Sequence, residues 1–502
     1  MTINEYFKSI KTNKAKLRQF IAAMPKGGDL HNHLTGAAYA ELYFEIACKK
    51  KLYVDYSTGK LYTSMPDPST VSDISEVKQL PPAPKDLHES RMKLIDKWSI
   101  RNYQPYKYSL GPDEYFFSEF GMFGAAASDD DLPDLLHEAM LRAKEENVQY
   151  LEIIGISPKA PDYAGLSEAD YNDFNNKFID LCDRYNDYPP NMQVALEDLS
   201  RRVVDIFKST GCLNTSIDNY VARNVALADA GRNADGCSKF LTSRFDTAQV
   251  TADDVVFRFQ GYASRTGDPV MVLAQLYIVY EAMNKIPDIL VGCNFVAAEN
   301  SENSMRFYRA HMAMFYLMRT MYTKVPNTAL HAGELTMGLI RPEHLTYHIG
   351  AAVNYQSNAT TYISLADRIG HGVDIAFEHN SFNIIKLLKE KNIAVEINLT
   401  SNEFILGVKD DTHPFMLYKD NEVPMVISTD DPGILRTSLT EEFTLAVQRY
   451  DLDYAFVKKL TENSIDYSFL SNTDKEAVKK DYQDKFIAFE DMLVKSLNLT
   501  KE

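Results

Sequence analysis

Residues 28–34 read GDLHNHL and place two imidazoles one residue apart between aliphatic residues. In an extended strand the side chains at i and i+2 point to the same side, so His31 and His33 can reach one common atom. That arrangement suits a metal ion, for which neutral imidazole is a common ligand. The same spacing also occurs on a solvated strand face, so the rest of the chain has to decide between the two interpretations.

The overall composition indicates which kinds of ligand and metal site the protein can have. The chain has 502 residues and a formal net charge of −17. This acidic balance disfavours nucleic acid and anionic membranes, which both require a cationic surface, and favours a small neutral or cationic substrate. Five cysteines without a C-x-x-C pair disfavour a cysteine-held zinc or a disulfide framework. We therefore expect histidines and carboxylates to hold any bound metal.

The sequence contains no apolar run of 18 residues, so we predict no transmembrane helix. The first 28 residues contain lysines but lack the apolar segment of a signal peptide. We expect the chain to be cytoplasmic as it stands, and secreted or periplasmic if a leader has been removed.

Short β-branched or aliphatic runs alternate with longer helical patterns along the chain, which is typical of a parallel α/β sheet. Eight such runs are predicted strands: 28–34, 148–156, 254–262, 289–296, 328–331, 368–370, 393–399 and 424–429. Eight strand–helix alternations predict an α/β fold, the (β/α)8 TIM barrel, in which the chemistry lies at the carboxyl ends of the strands.

The predicted domain organisation is a helical extension over residues 1–24 followed by the barrel over residues 25–502. Two long insertions, expected to be helical, interrupt the barrel after strands one and two, at about 50–111 and 157–246. Insertions of this length usually form lids or contacts between subunits, so both are candidates for homodimer contacts.

Ionisable residues follow several of the predicted strands. Strand five ends in LHAGE with His331 and Glu334, strand six runs into GHG with His371, and strand eight ends in STDDPG with Asp430 and Asp431. Each motif alone has an ordinary structural explanation, such as a solvated turn or a helix-surface pair. Because the carboxyl ends of barrel strands meet on one face, their joint placement predicts a single site.

Asp430 and Asp431 are neighbours and would face opposite ways in a regular strand. For both to face one pocket, the backbone has to leave the β conformation there. Pro432 restricts Asp431 to extended conformations, and Gly433 permits a turn directly afterwards. The sequence therefore allows such a break.

Several of these stretches together resemble the adenosine deaminases, zinc enzymes of the amidohydrolase superfamily. The matching segments, in the family's order, are MPKGGDLHNHLTGA, LHAGE, RIGHGVD, EINLTSN and ISTDDPGI. The MPKG lead-in and the long first insertion are most similar to the adenosine deaminase growth factor branch. The resemblance implies a hydrolase acting on a cyclic amidine C–N bond, which converts adenosine to inosine and ammonia, and by extension 2′-deoxyadenosine to its 6-oxo product.

The resemblance also implies one Zn²⁺ per chain, with the ligands His31, His33, His331 and Asp430. It implies that Glu334 is the proton donor, that His371 positions and deprotonates the water, and that Asp431 contacts the purine. Elementary chemistry agrees with these roles, because zinc lowers the pKa of bound water to about 7. Attack of that water at the purine C6 needs a proton at N1, which a protonated carboxylic acid can supply.

The chain departs from the family pattern at two positions. The family has an aspartate for the ribose 5′-hydroxyl where this chain has Thr35, and a glycine near the purine N3 where our alignment has Ala297. Phe117 and Phe120, in EYFFSEFGMF, are candidate walls for the purine or the ribose, or else core aromatics on a helix. These four positions, together with His33 and Asp431, are the predicted substrate-binding residues. The two departures from the family pattern affect the expected recognition of the sugar more than that of the purine base.

Alternative functions stay open. A two-metal amidohydrolase would need a carboxylated lysine at the end of strand four, where residues 289–299 contain no lysine. A deaminase of another 6-aminopurine, such as adenine, AMP or a modified adenosine, would share the same ring chemistry. A secreted nucleoside-binding protein resembling a growth factor would bind the nucleoside without turnover. In each case the expected partner is a small-molecule purine, with no nucleic acid and no membrane.

Overall fold

The computed structural model describes residues 1–81, 88–106, 110–183, 190–232, 254–357 and 361–501. Within these ranges eight strands, β1 to β8, build the sheet framework, and every one of them overlaps a predicted run. Their bounds are β1 Gly28–His33, β2 Tyr150–Ile154, β3 Val256–Ser264, β4 Leu290–Val296, β5 Ala329–Ala332, β6 Arg368–His371, β7 Ala394–Ile397 and β8 Met425–Ile427.

The eight strands form a closed ring. Strands β1 to β4 pair in parallel in chain order, and so do strands β5 to β8. Single parallel bridges join the two sheets, one between Cys293 and Thr328 and the other between Asn32 and Asp430. The α/β fold with parallel sheets is therefore confirmed, and all eight carboxyl ends lie at one face.

Helices surround the ring and fill most connections. Their bounds within the described residues are Ile3–Ile10, Lys14–Ala23, Leu34–Ala37, Ala40–Lys49, His88–Lys97, Pro112–Phe123, Leu132–Glu145, Glu168–Asp183, Pro190–Thr210, Asn214–Arg232, Pro269–Lys285, Glu302–Arg306, Tyr308–Met321, His348–Val353, Ser381–Glu390, Leu399–Leu406, Phe415–Asp420, Leu439–Tyr450, Tyr454–Asp466 and Asn472–Leu497. Short 3₁₀ turns lie at Pro68–Thr70, Ile74–Glu76, Ile100–Asn102, Gly124–Ala126, Asp162–Gly165, Pro342–Leu345, Val373–Phe377 and Asp410–Thr412.

The first insertion differs from the helical segment that we expected. Its described residues include a small antiparallel sheet in which Tyr53–Asp55 pairs with Leu61–Tyr62 on one side and Val77–Gln79 on the other. Val54 and Leu61 are buried in this sheet, so its hydrophobic residues follow the period of strands. The helix Pro112–Phe123, which carries Phe117 and Phe120, follows directly after this insertion.

The second insertion is helical in its described part, from Glu168–Asp183 to Asn214–Arg232, whereas residues 233–246 lie outside the described residues. Residues Tyr355–Gln356 and Tyr362–Ile363 form a further antiparallel pair. No helix in the described part of the chain is both long enough and apolar enough to cross a membrane.

Candidate metal centre and active site

The two histidines of β1 reach the aspartate that follows β8. The Nε2 atom of His31 lies 3.4 Å from Asp430 Oδ1, and the Nε2 atom of His33 lies 3.3 Å from the same oxygen. The His33 Nε2 atom also lies 3.3 Å from the Nε2 atom of His331, at the end of β5. The side chains at i and i+2 therefore face one point, as their spacing predicts.

Four buried side chains bring their ligand atoms together at this point. One potential ligand atom from each of His31, His331, His371 and Asp430 lies within 4.8 Å of the others. The Nε2 atoms of His31 and His371 are buried and have no hydrogen-bond partner among the described residues. His33 also faces this point, because its Nε2 atom lies 3.3 Å from Asp430 Oδ1. Imidazole and carboxylate groups are the donors that bind zinc, so the residues fit this metal whether His33 or His371 supplies the third imidazole.

Hydrogen bonds at the far side of two rings fix which nitrogen faces the cluster. The Nδ1 atom of His31 lies 2.6 Å from Glu396 Oε2, and the Nδ1 atom of His331 lies 2.8 Å from Asn294 Oδ1. The Phe295 backbone N–H also donates to that Asn294 oxygen, at 2.8 Å, which identifies it as an acceptor. Both rings therefore donate from Nδ1 and present the Nε2 lone pair to the cluster.

The carboxylate behind His31 belongs to a buried ion pair. Arg368 Nε donates to Glu396 Oε1 at 2.6 Å, and both side chains are buried. Burial opposes the charge of Glu396, but Arg368 and His31 outweigh it and lower the pKa of this carboxyl group to about 2. Glu396 is therefore a permanent acceptor for the His31 Nδ1–H group.

The break at the end of β8 lies at Asp430, whose φ of 64° is in the left-handed region. Its backbone N–H donates to the His31 carbonyl at 2.8 Å, and its carbonyl accepts from the His33 N–H at 2.9 Å. These bonds hold an otherwise unfavourable conformation. The predicted departure from β geometry is confirmed, but Asp430 itself adopts the positive φ, not Gly433.

The side chain of Asp431 lies directly against Gly36, in the short helix Leu34–Ala37 after β1. A Cβ atom at Gly36 would lie 1.4 Å from Asp431 Oδ1, so only glycine leaves room for the carboxyl group. Burial and the neighbouring Asp430 raise the pKa of Asp431. Gly36 therefore determines where Asp431 enters the cavity.

Glu334 is held through its backbone by a second buried carboxylate. Glu299 accepts the N–H of Glu334 at 2.9 Å and that of Gly333 at 3.2 Å. The Nδ1 atom of His348 lies 2.5 Å from Glu299, and Arg265 lies 3.5 Å away. Burial, reinforced by the charge of Asp430, raises the pKa of Glu334. A carboxyl group with a raised pKa can carry a proton at neutral pH.

His371 lies at the end of β6, as one of the four clustered side chains. We call the cavity end formed by the three histidines of this cluster, Glu334, Asp430 and Asp431 the polar end. Its φ is 67°, and its Nε2 atom lies 3.7 Å from Glu334 Oε1 and 3.8 Å from Asp430 Oδ2. Its Nδ1 atom faces the side-chain amides of Asn402, at 2.9 Å, and Asn398, at 3.4 Å. The partners of this ring therefore differ from those of His31 and His331.

A cavity of about 390 Å³ opens onto this polar end. Thr35, Phe117, Phe120 and Ala297 all line it, together with His33 and Asp431, so the structure brings the predicted substrate-binding residues together. Ala297 has a φ of 76°, and its carbonyl accepts from Arg265 Nε at 2.8 Å. A side chain in this region is strained, and glycine would not be.

Sequence reasoning missed the residues behind the ligands: Gly36, Asn294, Glu299, Glu396 and Asn402. Gly36, Glu396 and Asn402 lie inside segments that carry the family resemblance, which was the available signal. The others have no such signal, because their partners are far away in the sequence.

The geometry agrees with what comparisons with known proteins show. Residues 273–485 match the family model described as adenosine deaminase. The adenosine deaminase of Plasmodium knowlesi is 31% identical over 144 residues, which are 28% of this chain and 39% of that protein. The human N6-methyl-AMP deaminase is 31% identical over 139 residues, 27% of this chain and 39% of that protein. The chain thus spans about two fifths of the length of these curated relatives.

Solved structures support the fold over nearly the whole chain. An amidohydrolase from Burkholderia ambifaria, solved with bound zinc, superposes with a TM-score of 0.55 at 17% identity and covers 95% of both chains. The N6-methyl-AMP deaminase from Arabidopsis thaliana gives a TM-score of 0.53 at 17% identity, covering 93% of this chain and 98% of that chain. The matched residues 273–485 contain His331, Glu334, His371 and Asp430, so this part of the chain is similar to the adenosine deaminase family. The solved structures show that the chain shares their fold.

Proposed function

We propose that this protein is a zinc-dependent deaminase that hydrolyses adenosine to inosine and ammonia, and also 2′-deoxyadenosine to 2′-deoxyinosine and ammonia. The observation that carries the proposal is the convergence of buried imidazoles and Asp430 beside Glu334, at the end of a cavity large enough for a small molecule. We assign the metal to His31, His33, His331 and Asp430.

Bound zinc would supply an activated water by lowering the water pKa to about 7. The chain's own groups do the rest. The water oxygen adds to the purine C6, and the proton of Glu334 goes to N1, where the electrons of the broken C6–N1 double bond collect. Asp431 accepts a hydrogen bond from the departing amine or contacts N7, and His371 holds the water. The proton of the new C6 hydroxyl group goes to the amino group, which leaves as ammonia, and C6 becomes the carbonyl of the 6-oxopurine. The next water molecule returns a proton to Glu334.

The cavity lining supports a neutral substrate. None of the described residues that line it is a lysine or an arginine, and Phe116, Phe117 and Phe120 provide an aromatic wall. A phosphate group normally needs a cationic partner, so this lining favours a nucleoside or a free base over a nucleotide.

A second candidate is a deaminase of another 6-aminopurine, such as adenine, AMP or a modified adenosine. Thr35 and Ala297 favour adenine among these, because Thr35 offers a weaker partner for a sugar hydroxyl than a carboxylate and the Ala297 methyl group narrows the cavity. The relatives include enzymes named for both adenosine and N6-methyl-AMP. Assignment to the growth factor branch, with a secreted nucleoside-binding role, is supported only by the MPKG lead-in and the first insertion. Homodimer contacts through the insertions are a separate prediction.

Ammonia release from purified, zinc-loaded protein would test the proposal. The substrates are adenosine, 2′-deoxyadenosine, adenine, AMP and N6-methyl-AMP at equal concentration. We expect adenosine to give the highest kcat/KM and inosine as the product. A preference for adenine or a nucleotide would support the second candidate. Nucleoside binding without ammonia from any of the five would refute the enzymatic function.

A further inference from the structure

The imidazoles at the polar end have two opposite kinds of surroundings. His31 and His331 turn their Nδ1 atoms toward oxygen acceptors, Glu396 and Asn294. His371 turns its Nδ1 atom toward the side chains of two asparagines, Asn402 and Asn398. An asparagine side chain can present either its oxygen or its NH₂ group, so the state of His371 depends on which way Asn402 is turned.

A backbone amide shows which ring nitrogen of His413 carries the hydrogen. The N–H of Phe415 donates to His413 Nδ1 at 3.1 Å. Because a backbone N–H can only donate, this Nδ1 atom carries no hydrogen, and the ring hydrogen of His413 is on Nε2. His413 is buried, and burial lowers its pKa to about 3, which agrees with a neutral ring.

The hydrogen on His413 in turn fixes the orientation of the Asn402 side chain. The Nε2 atom of His413 lies 3.1 Å from Asn402 Oδ1, and its hydrogen has to be accepted there. The oxygen of Asn402 therefore faces His413, and its NH₂ group faces His371 Nδ1 at 2.9 Å. An NH₂ group only donates, so His371 Nδ1 is an acceptor without a hydrogen.

We propose that Asn402 and His413 are positioning residues, which hold neutral His371 in the tautomer with its hydrogen on Nε2, facing the cavity. In this tautomer Nε2 has no lone pair for a metal, although the atom lies in the cluster of four. The ring donates a hydrogen bond to an oxygen in the cavity and cannot take a proton through Nε2. The deprotonating role implied for His371 by the family resemblance does not follow from these bonds.

The tautomer itself can be measured without any assumption about the reaction, whereas its catalytic consequence rests on the proposed function. Zinc-loaded protein labelled with ¹⁵N-histidine gives two-bond ¹H–¹⁵N spectra that distinguish protonated from unprotonated ring nitrogens. Comparison with His371→Gln assigns the signal among the eleven histidines. We expect hydrogen on Nε2 and none on Nδ1. Hydrogen on Nδ1 of His371 would overturn the proposal.

Asn402→Asp tests the positioning role. The carboxylate has the same shape but only accepts, so it would draw the His371 hydrogen to Nδ1. We expect the ¹⁵N pattern of His371 to invert, zinc content to persist, and kcat for adenosine to fall about 10- to 100-fold with little change in KM. An unchanged pattern in a folded variant would contradict the role, and if the variant does not fold, the wild-type spectrum decides alone.

A matched control is Asn224→Asp. Asn224 is also fully buried, but its NH₂ group donates to the Tyr220 carbonyl in the helix Asn214–Arg232. It tests the effect of a buried carboxylate outside the cavity. We expect the His371 pattern to stay as in the wild type, and an inverted pattern would refute the specific role of Asn402. Wild-type protein that shows the Nε2 tautomer but no turnover would refute the proposed function alone.

Discussion

The two ends of the cavity differ in how they are held. At the polar end, buried partners fix the side chains: Glu396 orients His31, Asn294 orients His331, and Glu299 holds the backbone of Glu334. The opposite wall comes from Pro112–Phe123, the helix directly after the first insertion, whose Phe117 and Phe120 are only partly buried. From this contrast we expect that the barrel strands fix the catalytic groups and that this helix determines which substrate fits the cavity. Substitutions at the two ends should therefore fail in different ways.

The largest effect is expected at the metal ligands. His31→Ala removes an imidazole whose Nε2 atom has no other hydrogen-bond partner in the described structure, so zinc and activity should be lost together. Metal analysis by mass spectrometry beside an ammonia assay measures both. His379→Ala, at an exposed histidine, is the control and should keep both. Full zinc occupancy in His31→Ala would contradict the ligand assignment.

Glu334→Gln should separate chemistry from binding. The amide keeps the shape of the carboxyl group but cannot supply a proton to N1, so we expect kcat to fall about 10²- to 10⁴-fold. Zinc content and the affinity for inosine should stay close to wild type. Titration calorimetry with inosine and a turnover assay measure the two properties. An unchanged kcat would remove Glu334 from the proton-donor role.

Gly36→Ala should misplace Asp431 without loss of metal. The added methyl group would lie 1.4 Å from the Asp431 carboxylate and has to displace it. We expect kcat/KM to fall about 100-fold, as for other small misplacements of a catalytic group, with zinc retained. Gly121→Ala is the matched control, because a Cβ atom there meets nothing within 4 Å. Equal activity of both variants would show that Asp431 does not need this position.

The polar end was the more predictable part of the molecule. Each strand is a short apolar run, and ionisable residues follow strands that converge, so the sequence indicates His31, His331 and Asp430 as one group. The supporting contacts were not predictable, because Glu396 is 365 positions from His31 and the approach of Gly36 to Asp431 depends on the folded barrel. The small sheet of the first insertion was also missed, since its strands are two or three residues long.

At the other end, Thr35→Asp should sharpen sugar recognition. A carboxylate accepts a stronger hydrogen bond from a ribose hydroxyl than the threonine hydroxyl does, so we expect the KM for adenosine to fall about tenfold. Adenine, which has no ribose, serves as the control substrate and should show no gain. An equal change for both compounds would place Thr35 away from the sugar.

The smallest effect is expected for Ala297→Gly. Ala297 has a φ of 76°, so glycine relieves backbone strain and opens the cavity wall. The greater freedom of glycine in the unfolded chain offsets part of this gain. We expect the free energy of unfolding to rise by no more than about 1 kcal/mol, with a modest fall in the KM for adenosine. Urea denaturation and steady-state kinetics measure these changes, and a clear loss of stability would contradict the strain argument.

The most direct test of the account is to withdraw zinc with a chelator, restore it in steps, and record metal content and inosine formation from adenosine together. We predict that activity is lost with the metal and returns in proportion, reaching its maximum at one zinc ion per chain. Inosine formation by metal-free protein, or a requirement for two ions per chain, would contradict the account.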